Sequence, residues 1–236
     1  MPRLTRDGDV YVLDLGDDEN RFTHAWLAEV DAALDTVDAA TGPKALVTTA
    51  RGKIFSNGLD QDWMLGHPED LGRYLAVVQA LLARVLTFPG PTVAAVQGHA
   101  FGAGAMLVLA HDQQVMRADR GFWCLPEVAL GLPFTVGMTR LLTARLPTRT
   151  AAAAMTSGHR YGGTAALAAG IVDAVAAAGV TDATAAQAAV LTAALAAARP
   201  LAGTASPALA VIKEGLYADT AAALRTATPV TSRPAS

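Results

Sequence analysis

Two short glycine-containing segments have the composition of loops that expose backbone N–H groups to a ligand. They are residues 55–60 (FSNGLD) and residues 98–104 (GHAFGAG). An apolar segment follows the second loop, so its glycines are expected at the N-terminus of a helix, where free N–H groups and the helix dipole favour negative charge. Glycine also lets a ligand approach the backbone closely. Tight packing of a strand against a helix would produce the same pattern, so the glycines alone leave both interpretations open.

Glu127, which follows Pro126, is the candidate for acid–base chemistry because a carboxylate can remove and return a proton. An exposed turn residue after proline is the alternative interpretation of a single Pro-Glu pair. Two other enzyme classes are disfavoured by the sequence. Gly98, Gly102 and Gly104 lack the spacing of a dinucleotide-binding fingerprint, and no Gly-x-Ser-x-Gly segment of an α/β-hydrolase is present.

The elements that would position these residues alternate between strands and helices in the first part of the chain. Apolar alternation and short apolar runs predict the strands, and apolar residues three or four apart predict the helices, the first of them capped by Thr23. From Thr148 onward the chain is rich in alanine and helical in pattern. The predicted organisation is an α/β core over residues 1–180 and a helical, oligomerising region over 181–236, with a flexible tail from about 228. The predicted strands are 10–15, 45–49, 92–96, 114–116 and 121–124, and the main helices are 23–37, 71–86, 103–111 and 136–144.

Composition restricts the class of protein further. The chain has 236 residues, of which 52% are hydrophobic and 17% charged, so wholesale disorder is excluded. A net charge of −3 gives no excess of basic residues for a nucleic-acid backbone. The single cysteine, Cys124, excludes an internal disulfide framework and a zinc site of several cysteines, and no metal site is predicted from the histidines.

The location expected from these features is cytoplasmic. The first residues contain no apolar core of a signal peptide. The most apolar stretch, residues 92–110, contains Gln97 and His99 and is interpreted as buried core rather than as a membrane span. We therefore expect no membrane partner and no nucleic-acid partner.

Several motifs together resemble the crotonase superfamily of enoyl-CoA hydratases and isomerases. They are the loops at 55–60 and 95–104, the pair His111-Asp112, and residues 125–132 (LPEVALGL), in the family's order and spacing. Residues 156–161 and then 165–172 are similar to a later segment of that family, so the resemblance covers about 10–175. Residues 109–133 are most similar to the Δ3-Δ2-enoyl-CoA isomerase branch. The resemblance implies a spiral of ββα units with a C-terminal helical region, assembled as a homotrimer or homohexamer.

The resemblance also implies an acyl-CoA thioester substrate and an oxyanion hole made of two backbone N–H groups. By position these donors are Leu59 and Ala103. Removal of a proton next to a thioester carbonyl creates an enolate oxygen, and each preorganised donor contributes roughly 3–4 kcal/mol to stabilising such a charge. Coenzyme A enters as part of the substrate, and no separate cofactor is expected.

One departure from the sequence pattern of the family's hydratases predicts which of the family's reactions this chain catalyses. Family hydratases use two glutamates, and this chain has Met106 at the first position and Glu127 at the second. Moving a double bond needs one base that takes a proton from one carbon and returns it to another. The sequence therefore predicts isomerisation of 3-enoyl-CoA to 2-enoyl-CoA by Glu127, in fatty-acid degradation. The alternatives are another reaction of the family, such as hydration or thioester hydrolysis, and acyl-CoA binding without catalysis.

Other residues are given supporting roles. Trp63 and Tyr74 either line the acyl pocket or belong to the core, and Asp60 is expected to cap the turn that follows it. Lys53 and Lys213 are expected to be solvated, with contact to the phosphates of coenzyme A as the alternative. The predicted substrate-binding residues are Asn57, Gly58, Gly102, Met106, Trp63, Trp123 and Leu132.

Overall fold

The computed structural model describes residues 1–226 and contains nine strands and eleven α-helices within them. The strands are β1 (Arg3–Asp7), β2 (Val10–Asp14), β3 (Ala45–Thr49), β4 (Ile54–Ser56), β5 (Thr92–Val96), β6 (His99–Phe101), β7 (Gln113–Arg117), β8 (Trp123–Cys124) and β9 (Ala174–Ala176). The helices are α1 (His24–Ala39), α2 (Gln61–Gly66), α3 (Leu71–Leu86), α4 (Ala103–Ala110), α5 (Glu127–Leu130), α6 (Val136–Arg145), α7 (Thr148–Ser157), α8 (Gly163–Ala168), α9 (Ala183–Ala198), α10 (Pro207–Leu216) and α11 (Ala218–Arg225).

The strands form two sheets that the chain visits alternately. The larger sheet has the order β1-β2-β3-β5-β7-β9, antiparallel between β1 and β2 and parallel elsewhere. The smaller sheet has the order β4-β6-β8 and is parallel throughout. Each of β3, β5 and β7 is followed by one strand of the smaller sheet and then by helix. This repetition is the predicted ββα spiral, and it confirms the fold class.

Apolar side chains bury both faces of the larger sheet. Helix α9 packs on β3, β5 and β7 through Val190 and Ala194, so part of the alanine-rich region closes the core of the sheet. The other face packs on the helices that come earlier in the chain, including α1 and α3. Residues Ala183–Thr204 are long and apolar enough to cross a membrane by length and composition, but α9 within them contributes to this protein core.

Four strands were not predicted, each for a local physical reason: β4, for example, is only three residues long and overlaps the first glycine loop. Strand β1 is mostly exposed and rich in arginine, so it has no apolar alternation, and pairing with β2 defines it. Strand β6 lies within the glycine-rich loop and β9 is three alanine and valine residues, so neither is long enough to give a periodic signal. The predicted helix 71–86 and the strands 45–49 and 92–96 have the predicted bounds.

Candidate active site

The two glycine loops are in direct contact at the end of the smaller sheet. Gly58 follows β4 with a φ of +73°, and a Cβ placed on it would lie 2.7 Å from the nitrogen of Ala103 and 2.8 Å from the carbonyl oxygen of Phe101. A side chain at Gly58 is therefore excluded by both backbone conformation and space. The contact places Leu59 next to the first residue of α4.

The backbone N–H groups of Leu59 and Ala103 have no hydrogen-bond partner within residues 1–226. Ala103 is the first residue of α4, where intrahelical partners for N–H groups do not exist. Helix α4 is entirely buried, so its N-terminal donors lie inside the protein and not on an open surface. Two unpaired donors on adjacent loops can donate hydrogen bonds to an oxygen atom and so stabilise a developing negative charge on it.

Glu127 lies beside this pair of loops. A Cβ placed on Gly102 would lie 3.3 Å from its Oε1 atom, so the carboxyl group approaches the residue that precedes Ala103. Glu127 is 7% exposed, and its Oε2 atom has no hydrogen-bond partner in the described part of the chain. Burial raises the pKa of this carboxyl from 4.5 to about 7, while a hydrogen bond from its own backbone lowers it by a smaller amount.

A carboxyl group with this pKa can take up and release a proton near neutral pH, which is the property required of a general base. Met106, which the resemblance places where family hydratases have a glutamate, is fully buried on α4. Asp60 accepts a hydrogen bond from the Trp63 N–H at 3.3 Å and so caps α2, as predicted.

The predicted substrate-binding residues divide into two groups. Asn57 lies in the first loop with a buried Oδ1 that has no partner within residues 1–226, and Trp63 follows it on α2 in contact with the rings of His24 and Tyr74. Trp123, in contrast, is fully buried and donates its indole N–H to the carbonyl of Ala105 at 3.1 Å. The structure therefore gives Trp123 a packing role behind α4, and its contact with substrate stays a prediction.

The remaining predicted residues lie close to Glu127 in the chain or in space. Leu132 is half-buried, and its N–H bonds the carbonyl of Glu127 at 2.9 Å, which closes the short helix α5. Gly131 supports the same turn with a φ of +67°. Gly58, Gly102 and Met106 lie at the contact between the two loops and α4, as described above.

The environment of Lys213 differs from the predicted one. Lys213 is 5% exposed and donates to the Gly90 carbonyl at 2.8 Å and to Asp112 Oδ2 at 2.6 Å. The prediction that Lys213 is solvated is wrong, and its burial leaves no exposed ammonium for a phosphate. Lys213 lies on α10, several of whose apolar side chains are exposed. The hydrophobic pattern of this helix therefore did not indicate that the lysine is buried. Lys53 is exposed.

Tyr74 belongs to the core, one of the two predicted alternatives, and makes two hydrogen bonds that the sequence did not predict. It is fully buried, and its hydroxyl accepts a hydrogen bond from the Asp60 N–H at 2.8 Å and donates one to the Phe22 carbonyl at 3.0 Å. A tyrosine on the apolar face of α3 was a usable signal, because a buried tyrosine hydroxyl usually has a partner. Within residues 1–226 no three His, Cys, Asp or Glu side chains are grouped so that they could hold a metal ion.

Comparison with known proteins agrees with this geometry. A family model described as enoyl-CoA hydratase/isomerase matches residues 6–233. Enoyl-CoA delta isomerase 3 of Arabidopsis thaliana is 37% identical over 183 residues, which cover 75% of this chain and 77% of that protein. Enoyl-CoA delta isomerase 2, peroxisomal, of the same plant is 36% identical over 185 residues, with the same shares of the two chains.

Solved structures show the same similarity over nearly the whole chain. The apo structure of an enoyl-CoA isomerase of Mycobacterium tuberculosis has a TM-score of 0.83 and 30% identity, and the match covers 95% of this chain and 94% of that one. A structure of an enoyl-CoA hydratase from Mycobacterium marinum has a TM-score of 0.83 and 27% identity, covering 96% and 95%. Names of both reaction types therefore occur among the similar proteins.

Proposed function

Because the chain belongs to the enoyl-CoA hydratase/isomerase family, we propose that it moves the double bond of a 3-enoyl-CoA to give the 2-enoyl-CoA. The observation that carries the proposal is a single desolvated carboxyl group, Glu127, beside two unpaired backbone donors. The likeness to two plant proteins named as enoyl-CoA delta isomerases supports the same reaction. Hydration is supported less, because Met106 replaces the second carboxylate that family hydratases use.

In the proposed mechanism the thioester carbonyl oxygen binds between the N–H groups of Leu59 and Ala103. Ionised Glu127 removes a proton from C2. The electrons of that C–H bond form a double bond between C1 and C2, and the π electrons of the carbonyl move to its oxygen to give a conjugated dienolate. Protonated Glu127 then gives the proton to C4, the oxygen loses its charge, and the double bond lies between C2 and C3. Atoms and charge balance, and the carboxylate is regenerated.

Each part of this mechanism depends on the exclusion of water. In a medium of low polarity the two donors stabilise the enolate oxygen more strongly than they would in water. The same burial raises the pKa of Glu127 to about 7, which makes the carboxylate a stronger base than an exposed one. Desolvation therefore serves both the base and the oxyanion.

The proposal includes further points that rest on the resemblance. Coenzyme A enters with the substrate, and the chemistry needs no additional cofactor because the thioester itself accepts the electrons. We place the enzyme in fatty-acid degradation, in the cytoplasm, as a homotrimer or homohexamer. Light scattering after size-exclusion chromatography measures the oligomeric state directly.

A panel of thioesters tests the reaction. Ultraviolet absorbance follows conjugation, so a 3-hexenoyl-CoA should gain absorbance with the enzyme while crotonyl-CoA, a 2-enoyl thioester, should not lose it. Saturated butanoyl-CoA is the control and should show no change. Loss of crotonyl-CoA absorbance with no gain from the 3-enoyl substrate would identify a hydratase. Absence of change with every unsaturated thioester would overturn the isomerase proposal.

A further inference from the structure

The backbone around Leu59 is closed into a ring of hydrogen bonds. The N–H of Phe22 donates to the carbonyl of Gly58 at 2.8 Å, and the N–H of Asp60 donates to the Tyr74 hydroxyl at 2.8 Å. The Tyr74 hydroxyl then donates to the carbonyl of Phe22 at 3.0 Å. The ring therefore begins and ends at the backbone of Phe22 and contains Leu59 between its two anchored neighbours.

Because the peptide unit is planar, this ring of hydrogen bonds fixes the direction of the Leu59 N–H. The residues described contain no cis peptide bond, and in a trans peptide the carbonyl and the N–H point in opposite directions. Because the Gly58 carbonyl is bound to Phe22, the Leu59 N–H of the same peptide must point away from Phe22. This is the N–H group that has no partner within residues 1–226.

The next peptide is held at both of its polar groups. The Leu59 carbonyl accepts a hydrogen bond from Arg21 Nη1 at 3.2 Å, and the Asp60 N–H binds Tyr74. Rotation of the Leu59 backbone would therefore break bonds on both sides of the residue. Arg21 is half-buried, whereas Tyr74 is 1% exposed, so the tyrosine is the contact that water cannot replace.

Helix α3 supplies the rigid support. Tyr74 lies in its first turn, its ring is packed in the main core, and neighbouring Leu75 and Val78 are buried on the same helix. Burial raises the pKa of the Tyr74 hydroxyl to about 12. The hydroxyl therefore keeps its proton at neutral pH, as it must in order to donate to Phe22 while accepting from Asp60.

We propose that Tyr74 is a positioning residue for the reaction, because its hydroxyl fixes the direction of the Leu59 N–H that binds the thioester oxygen. This inference rests on the proposed oxyanion hole, although it does not depend on which reaction the enzyme catalyses. Tyr74 acts through the backbone of residues 58–60 and does not touch the substrate.

Tyr74→Phe removes the hydroxyl and keeps the ring in the core. A donor that is misplaced by a fraction of an ångström loses much of its effect on the transition state, so kcat should fall about tenfold to hundredfold. KM should change by a smaller factor than kcat, because an oxyanion-hole donor acts most strongly on the charged oxygen of the transition state. The matched control is Tyr217→Phe, which removes a hydroxyl bonded to Arg145 Nη1 at 2.7 Å and should leave kcat unchanged.

Binding of two inert ligands gives a readout that a merely structural role would not affect. Butanoyl-CoA has a thioester carbonyl, whereas S-butyl-CoA, a thioether, has none to place in the oxyanion hole. The wild-type protein should bind the thioester more tightly by calorimetry, and Tyr74→Phe should reduce that preference at least threefold. Infrared spectra of butanoyl-CoA labelled at the carbonyl carbon should show a smaller shift of the carbonyl band in the variant than in the wild type.

A second variant keeps the inference testable if Tyr74→Phe does not fold. Arg21→Met removes the bond to the Leu59 carbonyl at a half-buried position and should lower kcat and the ligand preference by a smaller factor of about threefold. Equal weakening of both ligands, or an unchanged preference in both variants, would overturn the inference. Failure of the isomerase assay with an intact thioester preference would overturn the proposed function and leave the role of Tyr74 standing.

Discussion

At the N-terminal end of α4, the N–H of Ala103 has no partner within residues 1–226 and the buried carboxyl of Glu127 is close by. At the C-terminal end of the same helix, the backbone carbonyls of Leu109 and His111 are bound by Arg145 at 2.8 Å each. Both ends have the orphan backbone groups that every helix has. The comparison shows that Arg145 binds carbonyl groups at the C-terminal end of α4, whereas the Ala103 N–H at the N-terminal end is left available for a ligand.

The buried charges at the two ends differ in the same way. Lys213, near the C-terminal end, has two partners, and Asp112 Oδ2 also accepts from the N–H of Thr92 at 2.8 Å. Glu127, near the N-terminal end, has an Oε2 atom without a partner in the described residues. A buried polar atom without a partner costs free energy, and the proposed role of Glu127 as a base accounts for that cost. In the paired network both charges have partners, and removal of either one is expected to destabilise the fold.

The largest expected effect comes from Glu127→Gln. The amide has nearly the shape of the carboxyl group but cannot remove a proton, so turnover of the proposed isomerisation should fall about 10²–10⁴-fold. Steady-state kinetics with a 3-enoyl-CoA measures the loss. The control is the same substitution at an exposed position, Glu69→Gln, which should leave turnover at the wild-type level. Wild-type turnover in Glu127→Gln would remove this residue from the mechanism.

Lys213→Met tests the opposite end of the helix. Removal of one partner leaves Asp112 beside α4 without its ion pair, and the free energy of unfolding should fall by about 3 kcal/mol, as is typical when a buried pair is broken. Turnover per folded molecule should stay near the wild-type value because the active site is at the other end. Urea unfolding measures the change, and Arg149→Met, at an exposed cation, should show almost none. A stable but inactive Lys213→Met protein would contradict the division between the two ends.

The pH dependence of stability should differ in sign between the two ends. Burial raises the pKa of Glu127 to about 7, so the folded state holds an extra proton between about pH 4.5 and 7 and loses stability as the pH rises through that range. Burial lowers the pKa of His111 to about 4, so this residue favours unfolding as the pH falls from about 6.5 to 4. Glu127→Gln should therefore match the wild type near pH 4 and exceed its stability by about 2–3 kcal/mol at pH 8. Urea unfolding at a series of pH values measures both proteins. A difference in the free energy of unfolding that does not change with pH would refute the prediction.

The smallest effect is expected for Trp123→Phe. Loss of the indole bond to the Ala105 carbonyl should lower the free energy of unfolding by about 1–2 kcal/mol. KM for the acyl-CoA should remain within twofold of wild type, because this side chain packs behind α4. Thermal unfolding and steady-state kinetics on the same preparation separate the two roles. A large rise in KM with unchanged stability would support the predicted contact of Trp123 with substrate.

The sequence by itself determined the elements whose signal is local. The apolar periodicity of 71–86 predicted α3, and glycines 58 and 102 predicted the two loops, in which both residues adopt a positive φ that glycine tolerates without strain. Motif order identified the family and the candidate base. These predictions needed only neighbours along the chain, so no knowledge of packing was required.

Tertiary structure alone decided which buried groups have partners. Lys213 and Asp112 are 101 residues apart, and Tyr74 is 52 residues from the Phe22 carbonyl that it binds. No periodicity or local propensity encodes such distances, since they depend on how the sheets and helices stack. The sequence therefore indicated that Glu127, among apolar neighbours, could act together with the two loops. The fold decided that the loops are in contact and that Leu59 is held in place.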